Sequence, residues 1–194
     1  MLKILFLLIT MLSFAANGAT SEGCLPVMTI DQFKAMVQSS RDLYFPELSN
    51  LKIEISTFRS DEYFLQAQPK IRTLLRGGSK RRYVIDLNLK LLDCPPPEEA
   101  LTAILVHELE HIKDYTGWSS FKIARFGVHY SNSMKLKTRY ERETDHKVLE
   151  KGLHSGLAGY REWLYQWLSP KELARKKKIY LTPEEILGPT YNQL

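Results

Sequence analysis

Apolar residues recur at helical spacing over Thr29–Ser39. Ile30, Phe33, Met36 and Val37 share one face there, and Thr29 or Asp31 can cap the start. Leu51, Ile53 and Ile55 then alternate with Lys52, Glu54 and Ser56, the pattern of a half-buried strand. Gly77-Gly78 marks a turn. Beyond it, Tyr83, Ile85, Leu87 and Leu89 alternate with Arg82, Val84, Asp86 and Asn88, which predicts a second strand. Pro95-Pro96-Pro97 stops the chain. Glu98 and Glu99 follow, where the first turn of a helix favours acids, and a long apolar helix begins. From Lys135 the chain reads as helical almost to its end, with Pro170 and Pro183 opening new short helices. Trp163 and Trp167 lie at helix-packing spacing beside Tyr160 and Leu164, and with Trp118 they are expected in the core. A small mixed α/β layer followed by helices makes an α+β protein.

The first residues have a different character. Met1-Leu2-Lys3 carries a positive charge, Ile4 to Leu12 is apolar except for Thr10, and Ser13 to Ala19 turns small and polar. Ala16-Asn17-Gly18 offers small residues where a leader is cut, so residues 1–19 read as a signal peptide. The apolar run is short for crossing ~30 Å of hydrocarbon. Residues 20–194 then form a single exported domain, periplasmic or secreted. Gly23-Cys24 suits lipid attachment, but Ser21 and Glu22 just upstream do not. Outside the cytosol Cys24 and Cys94 can form a disulfide; the alternative is two buried thiols. The longest later apolar run, Leu101 to Val106 around Thr102, is far too short to span a bilayer, so the mature protein is expected to be soluble.

Composition narrows this further. With 194 residues, 44% hydrophobic and 25% charged, the chain is no disordered, collagen-like or coiled-coil sequence. Its net charge of +5 is too weak to argue for nucleic acid, and two cysteines are too few for a disulfide scaffold.

The long helix carries the chemistry. It contains His107-Glu108-Leu109-Glu110-His111. Residues four apart share a helix face, so His107 and His111 can turn both imidazoles to one ion, while Glu108 can reach a water bound to it. Leu101, Ile104, Leu105, Leu109 and Ile112 form an apolar stripe that anchors the helix. Two neutral imidazoles and one more ligand suit one Zn2+ with an open fourth position. Asp114 and Gly117 stand where the extended H-E-x-x-H-x-x-G-x-x-H pattern needs Gly and His, so the metzincin arrangement is excluded. Further on, Glu141 and Asp145 share a face with inward-pointing Val148. Two acids in a core-facing stripe are costly unless paired or bound to metal. Glu141 as the third ligand, with Asp145 orienting a histidine behind it, removes that cost. The alternative is a solvated face salted by Arg142 and Lys147.

Pro97 to Ile112 resembles the active-site helix of gluzincin metallopeptidases. The likeness is nearest to the group containing the CAAX prenyl protease and the heat-shock protease HtpX, which pairs H-E-x-x-H with a downstream E-x-x-x-D, here Glu141 to Asp145. It covers about Val84 to Gly152, a third of the chain. The resemblance implies a zincin-like fold and a zinc endopeptidase, with His107, His111 and Glu141 as ligands and Glu108 as catalytic acid/base. Two features depart from the group. Its membrane members have transmembrane helices, whereas this chain has none after its leader. Glu110 stands where a small uncharged residue is usual, and is expected to point away from the histidines into solvent.

The implied substrate is a peptide or an exported or envelope protein. Tyr130, Tyr140, His129, His146 and His154 are candidates for steadying the oxyanion. The strand Arg82–Leu89 is expected to be the edge that pairs with extended substrate, as in the resembling peptidases. The tail Thr182–Leu194 is a candidate cover for the cleft. Lys70 to Arg82 holds six positive residues and no acid, and Lys171 to Lys178 holds five with one Glu. These read as solvated faces, or as sites of weak attraction to anionic phospholipid or cell-wall polymers, and not to nucleic acid. Two other functions fit the same residues: a non-catalytic, zinc-containing envelope binding protein, and a zinc amidase acting on cell-wall peptides. Glu108 favours catalysis, since a structural zinc site needs no acid beside its first histidine.

Overall fold

The computed structural model describes Cys24, residues 26–77 and residues 80–188. The leader expected over 1–19, Gly78 of the expected turn and the end of the tail, residues 189–194, lie outside them. Thr29 caps α1 (Ile30–Tyr44) through a reciprocal pair of bonds with Gln32. The helix runs past Ser39 to Tyr44, where Pro46 bars the intervening Phe45 from helical geometry. Phe33 and Val37 are buried as expected, whereas Ile30 is exposed.

A three-stranded mixed sheet follows, in the order β1-β3-β2. β1 (Lys52–Phe58) runs parallel to β3 (Arg82–Asn88), and β2 (Leu65–Pro69) pairs antiparallel with β3. The second predicted strand is therefore the central one, not an edge. Being flanked on both sides, it buries Val84 and Asn88 as well as Tyr83, Ile85 and Leu87. β2 is absent from the sequence reading because only Leu65 and Ala67 alternate within it. It is an edge strand, which also explains why it tolerates Pro69.

Asn88 caps α2 (Leu89–Asp93), and Cys94 is joined to Cys24 by a disulfide that ties the start of the domain beside α2. After the three prolines, α3 (Glu98–Gly117) runs through the middle of the molecule. Every residue from Ala100 to Ile112 except Thr102 is buried, so the helix has no solvent face along that stretch. This corrects the expectation for Glu110. It is 3% exposed and lies 3.4 Å from Lys151 Nζ, so its charge is balanced by an ion pair rather than by water. α4 (Ser120–Asn132), which the sequence reading omits, is mostly exposed and buries only Ile123, and α5 (Met134–Glu150) packs on α3. Gly152, at φ 81°, ends α5 by donating to Leu149 O, a left-handed conformation that costs glycine nothing. α6 (His154–Tyr165) crosses α3, and α7 (Pro170–Ile179) and α8 (Pro183–Leu187) start at their prolines behind the caps Ser169 and Thr182. Trp163 is buried edge-on against Phe64, Trp118 is half-buried, and Trp167 is exposed, contrary to expectation. Among the described residues no helix is long and apolar enough to cross a membrane.

The α3–α6 crossing depends on Gly156. A Cβ there would meet Glu99 O at 2.5 Å and Ala103 Cβ at 3.0 Å. Backbone oxygen in a buried helix cannot move aside, so this overlap outweighs alanine's advantage in helix propensity of about 1 kcal/mol. Gly156→Ala is expected to lower stability by about 1–3 kcal/mol, read as a lower urea midpoint. A variant as stable as the parent would refute the close approach.

Candidate metal centre

Two helices deliver the donors. α3 brings His107 and His111 to one face, and α5 brings Glu141 opposite them. His107 Nε2 lies 3.1 Å from His111 Nε2 and 3.1 Å from Glu141 Oε2, and His111 Nε2 lies 3.4 Å from the same oxygen. Four-coordinate bonds of about 2.0–2.1 Å to nitrogen and oxygen require donors about 3.3–3.4 Å apart. The triangle matches within a few tenths of an ångström, and all three side chains are buried. This cluster can hold a metal ion.

The groups behind the donors fix their orientation. His107 Nδ1 makes a short, bent contact of 2.9 Å with Asp145 Oδ1. Asp145 is fully buried. It also accepts from Arg161 of α6 at 2.8 Å and from the Leu181 backbone N–H at 3.0 Å. His111 Nδ1 is 3.1 Å from the Tyr140 hydroxyl, and Tyr130 donates to Glu141 Oε1. Both imidazoles are thus engaged at Nδ1, leaving Nε2 to face the shared point.

Electrostatics follow from this crowding. Burial pushes Glu141 up, but the His111 and His107 imidazoles overcome it and hold its carboxyl well below the usual range. Burial opposes ionisation of Asp145 too, and Arg161 and His107 keep it lowered. Burial pushes His107 down, yet Asp145 and Glu141 on its two sides raise it to about 10. Burial raises Tyr130, Tyr140 and Tyr180, so these phenols stay neutral and available as donors.

Glu108 sits beside the triangle. It is buried, and its Oε2 accepts from the Ala67 N–H of β2 at 2.6 Å. Lys70 N–H and Phe64 O bond to β3, so the even-numbered residues of β2 face β3 and Ala67 faces outward, toward the site. The edge beside the metal centre is thus β2, and the expectation that Arg82–Leu89 serves as that edge is overturned. Glu108 and His107 line a cavity of about 30 Å3 with Tyr160, Arg161, Lys176 and Tyr180.

Of the expected oxyanion donors, Tyr130 and Tyr140 have hydroxyls committed to Glu141 and His111. His129 is exposed on α4, and His146 and His154 are half-buried and do not line the cavity. Tyr180 does line it, with its ring 6.0 Å from that of His107, and among the described residues its hydroxyl has no hydrogen-bond partner. Nothing in its sequence context, a lysine-rich helix end, marks Tyr180 for chemistry. Arg161 is equally silent in the sequence, where it stands beside Glu162 on α6 with nothing to mark it as buried. The tail expected as a cover contributes differently: Pro183 and Ile186 are buried and α8 packs on α6, while Lys176 and Tyr180, just before it, reach the cavity.

Comparison with protein-family models, with curated proteins and with solved structures finds no match to the chain.

A cation can bind His107 only by replacing its proton. That proton is held up to about 10, so it is present throughout the neutral range and lost only as pH rises through that value. Affinity for zinc is therefore expected to rise about tenfold per pH unit between about pH 7 and 9, measured by competition with a chromophoric chelator. A flat profile would contradict the imidazolium sandwiched between Asp145 and Glu141.

Proposed function

We propose that this chain is an exported zinc metallopeptidase of gluzincin type with a zincin-like fold. The reading is carried by one observation: two imidazoles and a carboxylate converge at bonding distance with the buried Glu108 carboxylate beside them. A donor set of two nitrogens and one oxygen fits zinc with one position left for solvent. Zinc, when bound, supplies Lewis acidity and lowers the pKa of water to about 7. Glu108 takes a proton from water and passes it to the leaving amine, as a general base and then acid. Tyr180 donates its hydroxyl to the developing oxyanion, a role open to a neutral phenol that lines the same cavity. The outward backbone groups of Leu65 and Ala67 pair with an extended peptide, which competes with Glu108 for the Ala67 N–H and frees that carboxylate for water. The leader-like start and the Cys24–Cys94 disulfide fit a periplasmic or secreted protein, with exported or envelope polypeptides as substrates.

A second reading, a non-catalytic envelope protein that keeps zinc for binding or structure, is favoured by the size of the cavity. About 30 Å3 holds a water but no peptide side chain, so under the first reading Tyr180 and α7 shift to admit substrate.

Zinc content and peptide cleavage, measured together, separate the two. His107→Ala is expected to lose zinc. Glu108→Gln keeps an oxygen for the Ala67 N–H and is expected to keep zinc while losing about 10²–10⁴-fold in kcat. A zinc-loaded parent that cleaves no peptide or protein from a broad library sinks the peptidase reading. Tyr180→Phe is expected to lower kcat about 10²–10³-fold with zinc content and KM little changed. An unaltered kcat would remove Tyr180 from the chemistry.

A further inference from the structure

We infer that the face built by the loop between β2 and β3 together with α4 docks on the surface of an anionic phospholipid bilayer. The inference stands on surface chemistry and does not need the peptidase reading. Residues 70–82 and 118–137 hold ten of the chain's 27 Lys and Arg and none of its 22 Asp and Glu, so the rest of the chain is net acidic. The fold brings these two distant stretches together. Ser120 Oγ donates to Leu74 O. The buried Arg81 guanidinium bonds Leu74 O and Arg76 O on one side and Tyr115 O, Trp118 O and Ser120 Oγ on the other. Leu75 and Phe121 are each one residue from these bonds, so loop and helix present their side chains as one fixed surface.

That surface is also apolar where it protrudes. Leu75 is 96% exposed, Ile71 84%, Phe121 76% and Val128 64%; Phe121 and Val128 are seven apart on α4 and share a face. Arg72, Arg76, Lys80, Lys122 and Arg125, all exposed, come from the same loop and helix. Glu54 pairs with Lys70 and Arg82, which line the groove beside Ile71.

Basic residues together with aliphatic and aromatic tips match the layers of a bilayer surface, phosphate outside and acyl chain beneath. A soluble polyanion would satisfy the charges but leave Leu75 and Phe121 in water, and nucleic acid would call for stacked aromatics rather than Ile71, Leu75 and Val128. Docked in this way, the molecule holds α4 at the membrane. Tyr130 of the same helix donates to Glu141, so the metal centre lies one helix away from the lipid.

The test is sedimentation of the full chain with sucrose-loaded vesicles of phosphatidylcholine alone or with about 30% phosphatidylglycerol, at low and at high salt. The parent is expected to sediment with the anionic vesicles only, and to be released by about 0.5 M salt. Arg72→Gln/Arg76→Gln/Arg125→Gln is expected to weaken binding about a hundredfold. Leu75→Ser/Phe121→Ser is expected to weaken it at least about tenfold. Leu43→Ser, an equally exposed apolar site on α1, changes nothing. All substituted side chains are exposed, and unchanged circular dichroism melts verify folding. Equal binding to neutral vesicles, or variants that bind as the parent does through the apolar residues 1–19, would overturn the inference. So would a concentration-dependent dimer that Leu75→Ser/Phe121→Ser disperses in the absence of vesicle binding, which would assign the face to a second copy of the chain.

Discussion

Asp145 has no access to water, and the heart of the molecule is arranged so that its charge is never left alone. Its two oxygens receive an imidazole from α3, a guanidinium from α6 and a backbone N–H from the junction of α7 and α8. Four separate stretches of chain therefore meet at one carboxylate. Leaving a buried charge without one of its partners costs about 3–5 kcal/mol, so each stretch is held where the others need it. His107 inherits its orientation from this meeting. Its ring is fixed at Nδ1, and Nε2 points to the place where His111 and Glu141 also aim.

The same economy runs through the neighbouring side chains. Tyr130 and Tyr140 are spent on Glu141 and His111, which keeps two of the three residues of the cluster from rotating. Arg161 also stacks over the Tyr180 ring at 4.5 Å, so the group that balances Asp145 also positions a phenol that faces the cavity. Glu108 is held apart from the triangle by the edge of β2, through a bond that an incoming strand can replace. Structure and chemistry thus share residues: what holds α3, α5 and α6 together also prepares the site they enclose.

A second polar system is built around Arg81, and its logic is different. This buried cation needs carbonyl oxygens, and it finds them at the end of α3 and in the loop before β3. Satisfying it joins two segments that contain no acid, and concentrates positive charge and exposed apolar tips on one side. α4 belongs to both systems, with Tyr130 turned in to Glu141 and Phe121 and Val128 turned out.

Helical spacing alone was enough to read that His107 and His111 share a face, that Glu141 and Asp145 share another, and that both faces turn inward. Spacing within one regular element is a local property of the sequence. The prolines before α3 and at the start of α7 and α8, and the cap at Thr29, were legible for the same reason. What depended on contacts distant in sequence was not. β3 became central only because β2, with two apolar residues of its own, found a place beside it, and that exchange moved the exposed edge to the strand that touches Glu108. Glu110 was buried because α3 is covered on every side, a fact of the surroundings rather than of the helix. Arg161, Tyr180 and Arg81 carry no mark in the sequence, because each depends on at least one partner 16 to 73 residues away that only the folded chain brings within reach.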